Sequence, residues 1–482
     1  MQRLIALLLL FASSTVALGQ NAGQAWPQFR GPGGGGVASN AKPPVEIGPD
    51  KNVKWKVAVP SGLSSPIVVG DKLVLTALDG DKLFTIAYNN ADGREIWRAQ
   101  APAEQLEGYH KAEGSPAAST PVTDGTRIVS YFGSCGLVCY DLNGKELWNF
   151  PMPMVKTMGD FGTGTSPVLV DGMVVVLRDE VNDPKIIAVD AVTGKLKWEK
   201  QRQSKSGYCT PAVWETPSGK QIAAPGTGRM VGYDLKSGDE KWYVVGMPAA
   251  TCASPMVFGG ELYFAAWSPG DPSEESDFKM PTFDELLKSD PGGDANKDGV
   301  LAKAEAEGSP MAGFFDSNDT NKDGRLTRDE WDTVLQFMAS SKNSAFALEP
   351  GGAGDVTESH VRWKKTRGLP YVSSAIVYEG QLVMAKDGGI LTAYDVKTGD
   401  ELYQRRALAE GTYYASPVAA NGHIYFSALE DGAITVLKAG SSPPEVVVKN
   451  PPLGEKVAAT PAIVGDTLYV RTAGHLYAFA AK

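Results

Sequence analysis

The chain has 482 residues, 43% of them hydrophobic, so it is long enough to bury one very large core or several ordinary ones. Its 54 glycines and 32 prolines are spread along the sequence, which is typical of a protein with many turns and short strands. Since 46 basic residues face 56 acidic ones and no basic stripe offsets the net charge of −10, we expect neither nucleic acid nor anionic lipid as a partner.

The first residues have the pattern of a cleavable signal peptide over residues 1–19. Arg3 supplies a positive charge, an apolar run extends from Leu4 to Phe11, and Ala17-Leu18-Gly19 offers a small-residue cleavage site. No cysteine follows the apolar run to accept a lipid, and no later run approaches the roughly 18 residues that span a bilayer. We therefore predict a periplasmic or secreted protein without a transmembrane segment.

Residues 20–50 are predicted to form an N-terminal arm packed on the main domain. Their glycine-rich segment from Trp26 to Gly36 neither follows a strand nor opens a helix, as a phosphate-binding loop must.

One sequence unit recurs along most of the remaining chain. Each copy begins with a Ser/Thr-Pro step, and the starts lie at Ser65, Thr120, Ser166, Thr210, Ser254, Ser416 and Thr460, with Ser374-Ala375 as a degenerate copy. Successive starts are 42 to 55 residues apart, except for one interval of 120 residues between Ser254 and Ser374. Such a period indicates a repeat architecture.

A single copy reads as four antiparallel strands. From Ser166 to Leu177, two β-rich runs meet at the hairpin turn Asp171-Gly172, a third strand covers Ile186 to Asp190, and a fourth ends at Trp198. Four strands per roughly 44 residues is the size of a propeller blade. Eight starts therefore predict an all-β, eight-bladed β-propeller over residues 51–267 and 344–482.

The last copy ends near Lys482 without a fourth strand. The segment Lys54-Trp55-Lys56-Val57-Ala58-Val59 precedes the first copy and is itself strand-like. Pairing this segment into the last blade removes the open edges, so we predict that a strand from each terminus closes the ring.

Aromatic residues close most copies. They are Trp97, Trp148, Trp198, Trp242, Trp363 and Tyr403. A buried indole covers a large area and needs one hydrogen-bond partner, so we predict that these tryptophans wedge neighbouring blades together.

The long interval contains an insertion, which we place at residues 268–343 in the fifth blade. It carries two twelve-residue patterns typical of EF-hand calcium loops, each with a glycine at position 6, Gly299 and Gly324. The predicted metal ligands of the first loop are Asp294, Asn296, Asp298, the carbonyl of Val300 and Glu305. Those of the second loop are Asp319, Asn321, Asp323, the carbonyl of Arg325 and Glu330.

Hard oxygen ligands with a bidentate glutamate at the last position favour Ca²⁺ over the smaller Mg²⁺, so the insertion predicts two calcium ions. Leu301 and Leu326 can pair the loops through a short β-bridge. A small core is predicted from Phe314, Phe315, Trp331, Leu335 and Phe337. The short helices between the loops favour a structural calcium role, with a calcium-dependent switch as the alternative.

The sequence leaves the roles of two further groups of residues open. The cysteines Cys135, Cys139, Cys209 and Cys252 allow three pairings in an oxidising compartment, or they are small buried thiols. Arg178-Asp179-Glu180 and Arg229 lie at strand ends, where solvated loop charge is the favoured interpretation and a channel lining the alternative.

The segment from Ala188 to Trp198 resembles the tryptophan-docking motif A-x-D-x-x-T-G-K-x-x-W of the pyrroloquinoline-quinone (PQQ)-like propeller superfamily. Looser copies run from Ala87 to Trp97, from Gly232 to Trp242 and from Ala393 to Tyr403. The superfamily includes quinoprotein dehydrogenases and the propeller subunit of the bacterial outer-membrane protein assembly machinery. The chain looks most like exported, cofactor-free members, some of which carry EF-hand inserts, and its loops resemble those of calmodulin.

The resemblance implies fold more than activity. Quinoprotein dehydrogenases use adjacent cysteines over the quinone, and no two cysteines are adjacent in this chain, so we do not expect PQQ. We predict a monomeric, non-enzymatic scaffold that binds a protein or peptide, because no nucleophile-base pair, zinc site or nucleotide loop is evident. The alternatives are a PQQ-dependent quinoprotein-type oxidoreductase and a cell-surface module whose insertion makes the contacts.

Overall fold

The computed structural model describes residues 25–205, 207–269, 271 and 280–481. These residues form eight antiparallel sheets, each built on four strands, which follow one another around a ring. The prediction of an eight-bladed β-propeller is confirmed. The predicted signal peptide at residues 1–19 lies outside the described residues.

In the first four blades the strands run from the innermost to the outermost. Blade 1 has Ile67–Val69, Lys72–Asp79, Lys82–Asn89 and Glu95–Gln100. Blade 2 has Val122–Thr123, Arg127–Phe132, Gly136–Asp141 and Glu146–Pro151. Blade 3 has Val168–Val170, Met173–Arg178, Lys185–Asp190 and Leu196–Gln201. Blade 4 has Ala212–Thr216, Gly219–Pro225, Arg229–Asp234 and Glu240–Val245, with the short strand Gly354–Asp355 added in parallel at its edge.

The other four blades complete the ring. Blade 5 has Met256–Phe258, Glu261–Ala266, Ser344–Leu348 and Val361–Lys365. Blade 6 has Ile376–Tyr378, Gln381–Lys386, Ile390–Asp395 and Glu401–Arg406. Blade 7 has Val418–Ala420, His423–Ser427, Ile434–Lys438 and Glu445–Lys449. Blade 8 has Ala462–Val464, Thr467–Arg471, His475–Ala480 and the N-terminal strand Val53–Ala58.

The predicted closure of the ring is therefore confirmed. The strand Val53–Ala58 pairs antiparallel with His475–Ala480, with Trp55 opposite Ala478. The indole of Trp55 then donates a hydrogen bond to the Asn90 carbonyl in blade 1 at 3.1 Å. Both chain ends thus share one blade, and that blade is locked to its neighbour.

The Ser/Thr residues that begin the copies form a closed circle of hydrogen bonds, which we call the hydroxyl ring. In each blade the backbone N–H of this residue donates to the hydroxyl of its counterpart in the next blade, at 2.9–3.0 Å. The members are Ser65, Thr120, Ser166, Thr210, Ser254, Ser374, Ser416 and Thr460. The circle closes when Thr460 donates to Ser65, so the degenerate copy at Ser374 is a full member.

The tryptophan wedges follow one geometry. The indole N–H donates to a carbonyl in the next blade, and the indole face lies on a glycine of the same turn. Trp148, for example, donates to the Ala191 carbonyl at 3.0 Å, and a Cβ built on Gly194 would lie 2.6 Å from the indole. The equivalent pairs are Trp55 with Gly93, Trp97 with Gly144, Trp198 with Gly238, and Trp363 with Gly399.

Trp242 departs from the predicted wedge. Its indole folds over Gly232 in its own blade and donates to the Gln221 side chain at 2.7 Å. Blade 5 lacks the short glycine turn, because residues 349–360 make a longer connection there. Trp214 supplies the link instead, donating to the Gly260 carbonyl at 2.9 Å.

The N-terminal arm crosses the centre of the ring. Trp26 pairs with Val68 in blade 1, and Val37–Ala38 pair in parallel with the innermost strand of blade 7. Between them, the 3₁₀ turn Pro32–Gly34 contacts the innermost strands of blades 4 and 5. The arm therefore lies against strand residues that follow the hydroxyl ring, and it closes that end of the channel.

The insertion connects two adjacent strands of blade 5, since Ala266 pairs with Ser344. Its helices are α1 (Phe283–Leu286), α2 (Lys303–Ala306), α3 (Phe315–Asn318) and α4 (Arg328–Ser340); a further short helix, α5 (Thr357–His360), follows in blade 5. The strands Leu301–Ala302 and Arg325–Leu326 form the β-bridge expected between the two loops.

The small core of the insertion differs from the predicted one. Phe315 and Trp331 are buried in it, and Leu335 packs against it, together with Phe283 from α1. Phe314 is 36% exposed and instead faces Gly159 of the propeller. The side chain of Phe337 is not among those that the structure describes. No helix among the described residues is long and apolar enough to cross a membrane.

The four cysteines, all of which lie in the described residues, are free thiols. Burial raises the pKa of each to about 12, so they are poor nucleophiles at neutral pH.

Candidate functional site

A cavity of about 1180 Å³ lies at the mouth of the channel, on the side of the hydroxyl ring away from the arm. Six hydroxyl-ring residues and Phe29 of the arm form its floor. The insertion forms its roof, with lining residues from α1, from α4 and from the segments that precede the two loops. The cavity is therefore bounded at one end by the arm and at the other by the insertion.

The repeat itself builds the wall. The residue two positions before each hydroxyl-ring residue borders the cavity in all eight copies; these residues are Leu63, Ala118, Gly164, Tyr208, Cys252, Val372, Tyr414 and Ala458. The bulkier members, leucine, valine and two tyrosines, lie on blades 1, 4, 6 and 7, whereas alanine or glycine lies on blades 2, 3 and 8. Further aromatic residues and methionines add to the apolar lining, including Phe161, Tyr371, Met158, Met280, Met311 and Met338. The charged side chains of Glu113, Arg202, Lys205 and Glu330 also border the cavity.

Besides hydrogen bonds at its base, such as that from the Lys342 N–H to the Met247 carbonyl, three contacts hold the body of the insertion against the propeller. The Gly159 N–H donates to the Gly313 carbonyl at 3.1 Å, and the Lys205 ammonium donates to the Ser317 carbonyl at 3.1 Å. Lys156 forms an ion pair with Asp316. All three contacts lie within residues 313–317, immediately before the second loop.

The charges of the Arg178-Asp179-Glu180 segment are not solvated, so the favoured interpretation from the sequence was wrong. Asp179 accepts hydrogen bonds from the Arg202 guanidinium and the Ser204 hydroxyl, both at 2.6 Å, and the Asp179 side chain is completely buried. Arg178 and Glu180 form a second buried pair. Buried charges are tolerated here because each has a partner, and Arg202 and Ser204 border the cavity.

Glu107 positions another part of the wall. Its carboxylate accepts the Thr163 N–H at 2.7 Å and the Thr163 hydroxyl at 3.1 Å, and Thr163 borders the cavity. Gly133 leaves room for this carboxylate, since a Cβ there would lie 1.8 Å from it. Burial raises the pKa of Glu107 to about 7, although the hydrogen bonds from Thr163 lower it.

We expect the free energy of unfolding of the natural chain to fall, relative to Glu107→Gln, as pH rises from about 4.5 to 7, and to level off above 7. The folded chain holds one more proton than the unfolded chain between the ordinary pKa of 4.5 and the folded value of about 7. The slope is then at most about 1.4 kcal/mol per pH unit. Urea midpoints at pH 5, 6, 7 and 8 measure it. The exposed control Glu104→Gln should give a profile parallel to that of the natural chain, and a parallel profile for Glu107→Gln would contradict the prediction.

The two predicted calcium loops have closely similar geometry. In the first, the Asp294 carboxylate accepts the Gly299 N–H at 2.8 Å, and Glu305 accepts the N–H groups of Ala295 and Asn296 at 3.1 Å. In the second, Asp319 accepts the Gly324 N–H at 2.8 Å, and Glu330 accepts the N–H of Thr320 at 2.9 Å. In both loops the last glutamate therefore reaches back to the beginning of the loop.

The loops differ in their surroundings. Asp319 and Glu330 are buried, and Glu330 and Thr320 border the cavity, whereas no residue of the first loop does so. Across the described residues, no group of three or more His, Cys, Asp and Glu side chains is arranged to hold a metal ion. A calcium ion here would also need the asparagine side-chain oxygen and the backbone carbonyl of each loop.

Sequence reasoning missed the cavity, although the repeat carried a signal for it. Position −2 from each Ser/Thr start varies from glycine to tyrosine, while the start itself is nearly constant. A variable position beside a fixed one, repeated around a ring, is where a propeller can shape its channel mouth.

Comparison with known proteins agrees with this architecture. The family model described as outer membrane protein assembly factor BamB matches residues 45–154, 85–257 and 337–482, and these segments leave out most of the insertion. No curated protein matches the chain.

Solved structures share the fold. BamB from Moraxella catarrhalis has a TM-score of 0.52 at 13% identity, covering 89% of this chain and 96% of its own. The computationally designed Ika8 protein has a TM-score of 0.54 at 10% identity, covering 89% and 100%. A europium-containing methanol dehydrogenase has a TM-score of 0.52 at 12% identity, covering 96% and 99%. At these identities the likeness concerns the fold alone. Because the family model covers well over half of its residues, the chain belongs to the family described as outer membrane protein assembly factor BamB.

Proposed function

We propose that this protein is an exported, calcium-binding scaffold that holds an extended apolar segment of a partner polypeptide in the cavity between its propeller and its insertion. The observation that carries this proposal is the cavity itself, which all eight repeats and the insertion line together.

The size and lining of the cavity favour a polypeptide segment over a small ligand. Pockets for small ligands usually measure about 300–1,000 Å³, and this cavity is larger. Four methionines line it, and methionine side chains adapt to different apolar partners. With one end closed by the arm, a bound segment would enter from the side of the insertion.

The chemistry of the loops fits Ca²⁺. Their donor atoms are all oxygen, from aspartate, asparagine, glutamate and one backbone carbonyl per loop. Gly299 and Gly324 adopt φ values of 83° and 77°, as the sharp turn at position 6 requires. Asp294, Asn296, Asp298, Val300 and Glu305 would hold one ion. Asp319, Asn321, Asp323, Arg325 and Glu330 would hold the other, which would keep α4 over the cavity.

An envelope location is part of the proposal. It rests on the signal-like N-terminal sequence and on membership of a family described by outer membrane protein assembly. The europium-containing methanol dehydrogenase shares the fold. The four free thiols of this chain include no adjacent pair of the kind that quinoprotein dehydrogenases use over the quinone, so we do not propose a quinone cofactor.

Filling the cavity tests the function. Ala118→Trp and Ala458→Trp place indoles at wall positions −2, and together they should weaken binding of a fluorescent decapeptide rich in leucine and phenylalanine by about tenfold or more. Val192→Trp, at a residue that is 64% exposed, is the matched control and should leave binding unchanged.

Unchanged binding in the double variant would exclude the cavity as the peptide site. Quinone absorbance after addition of PQQ and Ca²⁺, together with dye-linked alcohol oxidation, would favour the quinoprotein alternative.

A further inference from the structure

The floor of the cavity carries hydrogen-bond donors that the protein does not use. Each hydroxyl of the hydroxyl ring accepts one backbone N–H, but its own hydrogen has no acceptor among the described residues. Six of these hydroxyl groups border the cavity, on Ser65, Thr120, Ser166, Ser374, Ser416 and Thr460. A ring of O–H donors around one axis is suited to an acceptor group placed at its centre.

Two buried guanidinium groups lie beside this floor. Arg30 of the arm donates to the Ala375 carbonyl at 2.5 Å, next to Ser374, and it is fully buried. Arg471 is 1% exposed and donates to the Ser64 hydroxyl at 2.7 Å, next to Ser65. Within the described part of the chain, neither forms an ion pair with a carboxylate, and all their hydrogen-bond partners are backbone carbonyls or the Ser64 hydroxyl.

Both guanidinium groups remain charged at neutral pH. Burial lowers the pKa of Arg30 to about 9 and that of Arg471 to about 10. Neither side chain borders the cavity itself, but both positive charges lie beside the donor-rich floor, where they favour a negatively charged group. The walls above are mostly apolar but include Glu113, Arg202 and Lys205, so the cavity has a largely apolar body and a donor-rich end beside the two arginines.

We infer that the cavity selects apolar chains that end in a carboxylate, with the carboxylate on the hydroxyl ring and the apolar part against the walls. This inference rests on the proposed function and narrows it. The bound segment is then the C-terminus of a partner polypeptide and not an internal stretch. A fatty acid offers the same group on an apolar chain and is the other source of this chemistry.

The test compares ligands that differ only at the end group. The full chain with Ca²⁺ is titrated with an N-acetylated leucine- and phenylalanine-rich pentapeptide as the free acid and as the C-terminal amide, and with decanoate and decanol. We expect the free-acid peptide to bind about tenfold or more tightly than its amide, because hydrogen bonds to a charged acceptor are about twice as strong as neutral ones.

The outcomes separate the two proposals. We call the proposed carboxylate-binding position on the hydroxyl ring the carboxylate seat. If the acid and the amide bind with equal affinity, and decanoate binds no better than decanol, the carboxylate seat is overturned while the proposed peptide-binding function is retained. A preference seen only for decanoate supports the seat with a fatty acid as its source. If no peptide binds, acid or amide, the proposed function fails.

A pair of serine variants in blade 7 tests the seat from the protein side. Ser416→Ala removes one hydroxyl from the floor. Ser427→Ala removes a buried hydroxyl that does not border the cavity and has no hydrogen-bond partner among the residues that the structure describes. Ser416→Ala should reduce the ratio of acid to amide affinity about threefold or more, while Ser427→Ala should leave it unchanged. If Ser416→Ala does not fold, the comparison of acid and amide ligands on the natural chain still tests whether the hydroxyl ring binds a carboxylate.

Discussion

Replacing Gly194 by alanine should lower the free energy of unfolding by about 3 kcal/mol. Gly194 has a φ of 67°, so alanine there carries the cost of about 1–2 kcal/mol for the left-handed region. In addition, its Cβ would lie 2.6 Å from the Trp148 indole and would displace that indole from its position between the two blades. Denaturant midpoints followed by tryptophan fluorescence measure the effect, because the environment of Trp148 itself changes.

Gly172 provides a matched control in the same blade. It has a φ of 74°, but a Cβ there would meet nothing within 4 Å. Gly172→Ala should therefore cost only the conformational part, about 1 kcal/mol. If the two variants were equally destabilised, the positive φ alone would explain the loss of stability. The close contact with the indole would then contribute nothing to it.

This pair shows why the sequence predicted the propeller well. Each element of a blade depends on residues that recur at fixed spacing: a hydroxyl at the start, a glycine in the last turn and a tryptophan after it. Contacts between neighbouring blades repeat around the ring, so one copy is enough to predict the others. The closure by Trp55 follows from the same rule, because the N-terminal strand carries the tryptophan that the eighth blade lacks.

Contacts between distant parts of the chain did not follow from the repeat. Trp242 turned onto its own blade because blade 5 has a longer connection where its glycine turn would be. Asp179 became buried because Arg202, 23 residues later, lies beside it. The position of the insertion over the cavity depends on Lys156, Lys205 and Gly159, none of which stands out in the sequence.

The same contacts lead to a prediction about calcium. Glu330→Gln should weaken binding of the apolar peptide about fivefold or more, whereas Glu305→Gln should change it less than about twofold. Each substitution removes a ligand from position 12 of one proposed loop, and each should reduce calcium stoichiometry from two ions to one at micromolar calcium in titration calorimetry. The chemical change is thus identical in the two variants, and only the position differs.

The expected difference arises from the surroundings of Glu330. It is followed by Trp331, which is 1% exposed, donates to the Pro281 carbonyl at 2.9 Å and borders the cavity. Loss of the second ion would loosen α4 and the roof, while loss of the first would loosen a loop that borders no part of the cavity. Coupling of this kind is reciprocal, so bound peptide should raise the calcium affinity of the Glu305→Gln variant, which retains the second loop. Equal loss of peptide binding in both variants would show that the Leu301–Leu326 bridge joins the loops into one unit, with calcium acting on the insertion as a whole.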